Sequence, residues 1–147
     1  MALKVYIAAP WNNRAEAQVA QDKFEAAGFE VTSHWIKYHS DAVLGDPKFD
    51  EELCNQAVED LEDVMKADVF IILNLGKSEG KATELGFAYA LGIPTILVGP
   101  RTINIFYYLP NVFRADTVEQ AIAGILEATS PGAIQNDGTV LPDSTIN

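Results

Sequence analysis

Val69-Phe70-Ile71-Ile72-Leu73-Asn74-Leu75 is apolar at every position but Asn74 and carries no charge. A strand with one wet face shows polar residues at alternate places, so an unbroken apolar run of this length reads as a strand covered on both faces. Such strands belong to parallel sheets, because the crossovers between parallel neighbours lay helices on each side. The flanks agree. Upstream, 50–66 has helical composition, with Leu53, Ala57, Leu61, Val64 and Met65 predicted on one inward stripe. Downstream, a Gly-containing loop over 76–80 leads to a helix predicted to start at Thr83, and 95–98 is a second buried strand.

Towards the start of the chain, 3–9 is a short β-prone run ended by Pro10, 14–27 is helical with Gly28 as its stop, and 29–35 reads as another strand. Residues 37–49, which hold Gly45 and Pro47, form a loop or flap. A short extended piece near Val112 and a helix over 117–128 complete the pattern. Strands alternating with helices predict an α/β fold: one doubly wound, flavodoxin- or Rossmann-like domain over 1–129, with a mostly parallel five-stranded sheet and helices on both faces. Ligands of such sheets sit beyond the carboxyl ends of the strands, where strand order reverses, which singles out the loops at 9–14 and 74–84. Pro, Gly, Asn, Asp, Ser and Thr dominate 130–147, a polar tail expected to be disordered or to contact a neighbouring subunit.

Composition narrows the partners. A chain of 147 residues, 48% of them apolar, supports one sizeable core. Its formal net charge of -11 excludes an electropositive track for a nucleic-acid polymer, which requires clustered Lys and Arg. A small anion held by backbone N–H groups and one or two side chains is still compatible. No run reaches the ~18 apolar residues of a membrane span, and 3–9 lacks the basic flank and long apolar stretch of a secretory signal, so a cytoplasmic location is expected. Cys54 stands alone and is read as a small half-buried side chain.

Glu84 is the only charge in Thr83-Glu84-Leu85-Gly86-Phe87-Ala88-Tyr89-Ala90-Leu91, and the next charged residue is Arg101. A carboxylate beside so apolar a stretch is costly to bury unless paired, which marks it as a functional candidate. With Thr83 as N-cap it would lie in the first turn, where the helix dipole keeps it ionised. Asp60 falls on the stripe of its helix that should face inward, either satisfied by a neighbouring N-cap or aimed at a ligand, while Glu59, Glu62 and Asp63 are assigned to the solvated face. Tyr6 puts a phenol on one face of the first strand, for packing or to donate to a carboxylate on the neighbouring loop. Trp11 in the first ligand-side loop is a stacking plate or a buried ring. Ser78, Gly80 and Lys81 form a loop that suits a phosphate or a sugar hydroxyl, though neither phosphate-binding glycine motif is present. His34 and His39, without carboxylates at ligand spacing, make a poor metal site. Phe106, Tyr107, Tyr108 and Pro110 form an apolar loop, a pocket wall or a subunit contact.

These residues together resemble the nucleoside 2-deoxyribosyltransferase superfamily, which includes the nucleoside 5′-monophosphate N-glycosidases. The run from Thr83 to Gly92 is similar to the family's E-x-G-x-A-x-A-x-G nucleophile motif, with Glu84 at the catalytic glutamate. Val5-Tyr6-Ile7-Ala8-Ala9-Pro10-Trp11 resembles its first strand and loop, which puts Tyr6 on the tyrosine that orients the glutamate and Trp11 on an aromatic of the base pocket. Asp60 precedes Asp68 as the family's second acid precedes its own strand-entry aspartate. The resemblance implies Glu84, Asp60 and Tyr6 as catalytic residues and Ala9, Trp11, Arg14, Ser78 and Gly80 as substrate contacts. It implies cleavage of the N-glycosidic bond of a 2′-deoxyribonucleoside through a covalent glycosyl-Glu84, with transfer of the sugar to a free nucleobase, no metal or organic cofactor, and a homo-oligomer. Six residues before Glu84, where transferases of free nucleosides carry an acid, stands Ser78, as in the monophosphate hydrolases, whose Gly- and Arg-containing first loop is in turn not matched here. The alternatives are therefore hydrolysis of a 2′-deoxynucleoside 5′-monophosphate and, in another class, a nucleotide-binding domain without catalysis.

Overall fold

A computed structural model describes residues 2–38 and 40–130. Five strands, β1 (Lys4–Ala8), β2 (Glu30–Val31), β3 (Val69–Leu73), β4 (Thr95–Val98) and β5 (Val112–Ala115), form one sheet in the order β2-β1-β3-β4-β5. Every neighbouring pair is parallel. The helices are α1 (Arg14–Ala26), α2 (Asp50–Met65), α3 (Glu79–Ala90) and α4 (Val118–Ala128). α1 packs with α4 and α2 with α3, so the sheet is covered on both faces in the doubly wound manner that the alternation of strands and helices predicts. All five residues of β3 are buried, as its unbroken apolar run requires. The reversal of strand order falls between β1 and β3, and the loops after these two strands open there.

Local chemistry ends the helices where the sequence says it should. Gly28, at φ 96°, terminates α1, and the Phe29 N–H reaches back to the Phe24 carbonyl at 3.0 Å while the two rings meet edge to face. This is a Schellman stop with its usual hydrophobic contact. Gly92 repeats it after α3, with Ile93 N–H donating to the Ala88 carbonyl at 3.0 Å.

Four expectations are corrected. β2 covers two residues, not 29–35: at Ile7 the amide is met by the Ser33 hydroxyl at 3.2 Å instead of a strand carbonyl, and a 3₁₀ turn follows at Trp35–Lys37. α3 begins at Glu79, because Ser78 Oγ accepts the Lys81 N–H and caps it, while the Thr83 hydroxyl donates to the Glu79 carbonyl within the helix. On α2, Ala57 and Met65 are exposed and Asp63 is buried, so the inward face is rotated from the apolar stripe. Cys54 is exposed. The expected tail over 130–147 lies, past Ser130, outside the described residues, as does His39.

Candidate active site

The loop after β1, the segment after β2 and the facing sides of α2 and α3 line an open cavity of about 180 Å³. Ala9 and Trp11 reach it from the loop after β1, Asp60 from α2, and Ser78, Gly80 and Glu84 from the start of α3. Together with Lys81, seven of the residues singled out in the sequence thus share one wall system, although they come from three separate segments. Tyr6 lies beneath the floor. Its residue alternation on β1 turns the ring to the α2/α3 face, where it stacks on Phe70 at 5.6 Å and 9°, and its hydroxyl donates to Glu84 Oε2.

Glu84 occupies the second turn of α3, not the first, so the helix dipole does little to hold its charge. Burial instead raises its pKa from the ordinary 4.5 to about 8, opposed by the Tyr6 hydrogen bond and reinforced by the charges of Asp60 and Asp63. Burial likewise raises Asp60 to about 6, with Asp63 and Glu59 adding to it and His34 opposing it. Tyr6 is pushed far up, by burial first and then by the Glu84 and Asp60 charges, so its hydroxyl stays a donor. The cavity therefore holds two carboxyl groups with displaced proton affinities above a fixed phenol, a constellation suited to nucleophile and acid work.

Arg14 is placed elsewhere. Its guanidinium lies over the Trp11 ring at 4.8 Å and donates to the Ile36 carbonyl at 3.1 and 3.2 Å, outside the lining of the cavity. It fixes the half-exposed Trp11 at the lip. Trp35, Tyr38 and Gln56 line the cavity without having been assigned to it, and Lys81 lines it beside Ser78 and Gly80, the loop singled out with it. Gln56 had a signal, since it precedes Asp60 by one helical turn. Trp35 had none, because the turn that brings it under Trp11, with its indole N–H on the Ile7 carbonyl at 2.7 Å, replaces an expected strand.

Lys81 is buried, and its ammonium donates to the Gly76 carbonyl at 2.6 Å and to Asn74 Oδ1 at 3.4 Å. Burial lowers its pKa to about 8. His34 does meet carboxylates, contrary to expectation: one ligand-type atom each of His34, Glu59 and Asp63 lies within 4.8 Å of the others. The hydrogen bond from His34 to Asp63 accounts for their approach.

A family model described as nucleoside 2-deoxyribosyltransferase matches residues 5–136 of the chain. No curated protein matches it significantly. Among solved structures, a 2-deoxyribosyltransferase from the psychrotolerant bacterium Bacillus psychrosaccharolyticus superposes with a TM-score of 0.62 at 20% identity, covering 81% of this chain and 90% of that one. A conserved protein from Enterococcus faecalis V583 gives a TM-score of 0.56 at 16% identity, over 84% of this chain and 96% of its own. A CMP N-glycosidase from Clostridium botulinum aligns with a TM-score of 0.49 at 19% identity, over 82% and 95% of the two chains. At such identities the first two likenesses speak to the fold.

Proposed function

The chain belongs to the nucleoside 2-deoxyribosyltransferase family and is an enzyme, and from that premise we propose that it cleaves the N-glycosidic bond of 2′-deoxyribonucleosides and passes the sugar to a second nucleobase. The observation that carries this reading is the Tyr6 hydroxyl donating to Glu84 at the floor of a cavity that Asp60 also lines. Glu84 Oε attacks C1′ as the C1′–N bond breaks, through an oxocarbenium-like transition state, and forms a glycosyl ester. Asp60 gives its proton to the departing base. An incoming base then attacks C1′, releasing Glu84 as a carboxylate and returning its ring N–H proton to Asp60. Trp11 offers a ring face for either base, and Ala9, Ser78 and Gly80 contact the sugar. The lowest-energy singly protonated site keeps the proton on Glu84, whereas chemistry needs it on Asp60, so turnover draws on a minor form and activity follows a bell between about pH 6 and about 8.

A second reading, hydrolysis of a 2′-deoxynucleoside 5′-monophosphate, is favoured by one feature. Lys81 is a buried cation whose hydrogen-bond partners are neutral oxygens, and it lines the cavity next to Ser78. Phe106 and Tyr108, exposed on the 3₁₀ turn Ile105–Tyr108, suit a subunit contact in a homo-oligomer. The free, exposed Cys54 suits the reducing cytoplasm. Incubation with a panel of 2′-deoxynucleosides and their 5′-monophosphates, with and without a free acceptor base, tests the readings by chromatography of released base. Release that requires the acceptor supports transfer, release from monophosphates without one supports hydrolysis, and binding without release overturns both.

A further inference from the structure

Asp63 is the one acidic side chain of α2 among the described residues that is fully buried, at 1% exposure. Its Oδ2 accepts two hydrogen bonds from a single residue, the His34 backbone N–H at 3.1 Å and His34 Nδ1 at 2.8 Å. The neighbouring Thr32 hydroxyl donates to the Asp63 carbonyl at 2.8 Å, so both ends of this residue are tied to the segment after β2. Such fastening fixes where the negative charge sits. Three residues back along the same helix stands Asp60, on the cavity wall.

We propose that the Asp63–His34 pair is a positioning device for Asp60: the pinned Asp63 carboxylate holds the proton on Asp60, and the charge on His34 sets how firmly. The inference rests on the reading of Asp60 as the acid that protonates the leaving base. Burial raises the proton affinity of Asp60 most, and a negative neighbour that is immobile and dry adds to it more strongly than a solvated one. The groups that bear on Asp60 are few. Glu59 and Asp63 from α2 raise its proton affinity, and His34 lowers it. Glu84 from α3 is coupled to Asp60, and Tyr6 from β1 feels the charges of Asp60 and Asp63. Lys66 stands 4.0 Å from the other Asp63 oxygen, exposed to solvent, and Lys81 is turned to the Asn74 and Gly76 oxygens. Of these, the buried Asp63 and the solvent-facing His34 are directly bonded and act on Asp60 with opposite signs.

The experiment is a carboxyl ¹³C NMR titration of Asp60 in the free, full-length protein, in wild type, Asp63→Asn and His34→Gln. Asparagine keeps an acceptor for His34, and glutamine keeps a donor for Asp63. Asp63→Asn is expected to move the Asp60 midpoint down by about one pH unit, and His34→Gln to move it up. The acid limb of the pH profile of base release should follow in the same directions. Unmoved midpoints in both variants, or shifts of the same sign, overturn the inference and leave the pair as a latch between α2 and the segment after β2. Should Asp63→Asn fail to fold, His34→Gln alone decides by the sign of its shift. The NMR midpoint needs no turnover, so absence of base release by wild type would overturn the catalytic reading while the coupling itself is still measured.

Discussion

Glu84 is the residue on which the chemistry turns, and its environment leads to three expectations. Glu84→Ala should lose base release by on the order of 10³-fold or more, since it removes the carboxylate that forms the glycosyl ester. Tyr6→Phe removes one charge-assisted hydrogen bond, worth about 1.5–3 kcal/mol, and should lower kcat roughly 10- to 100-fold with little change in fold, because the phenyl ring still stacks on Phe70. The third concerns stability. Folding raises the pKa of Glu84 from 4.5 to about 8, so its contribution to stability is fully present below pH 4.5 and is lost as pH rises through about 8. Glu84→Gln, which never ionises and still accepts from Tyr6, should therefore raise Tm more at pH 8.5 than at pH 5 in paired thermal melts. An isolated charge and a strand-borne phenol marked Glu84 and Tyr6 as candidates, and the family resemblance implied their partnership. Their protonation was not legible in the sequence, because the assumption of a first-turn position rested on Thr83 as cap, when Ser78 takes that role.

Helix starts and stops carry the geometry at the scale of the element. Ser78→Ala deletes the α3 cap and should cost about 1 kcal/mol, lowering Tm by roughly 2–4 °C for a domain near this size. It should also lower activity, since the same turn carries Gly80 and Lys81 into the cavity. Gly86 lies in the middle of α3, and a Cβ there would meet nothing within 4 Å. Gly86→Ala is accordingly expected to stabilise the chain by about 0.5–1 kcal/mol, read as an upward shift in a urea midpoint. α2 shows how an element can be right in extent and wrong in orientation. Its bounds follow from sequence, yet Asp63 turns inward and Ala57 outward, because this helix covers a polar cavity and a histidine instead of a wholly apolar core. Periodicity finds the face that suits oil, and where the neighbour is a site that face is no longer the buried one.

The whole molecule adds surfaces and strand order. Ile105, Phe106 and Tyr108 are all more than half exposed beside the sheet edge, an apolar cluster that a subunit contact would cover. Sedimentation velocity is expected to give a mass above that of one 16.0 kDa chain, and Phe106→Asp to shift it downwards; a monomer at micromolar concentration would remove the subunit-contact reading. No helix among the described residues is long and apolar enough to cross a membrane. From sequence alone came the parallel α/β architecture and Glu84 as a candidate, because unbroken apolar runs and an isolated charge express local physics that needs no neighbour; its grouping with Tyr6 and Asp60 came from the family resemblance. Tertiary structure alone decided that Arg14 steadies Trp11 instead of entering the cavity, that Trp35 and Tyr38 line it, and that His34 and Asp63 are bonded. Those facts depend on which of several polar groups 20 to 80 positions apart in the chain lose their water together, and desolvation is a property of the assembled fold.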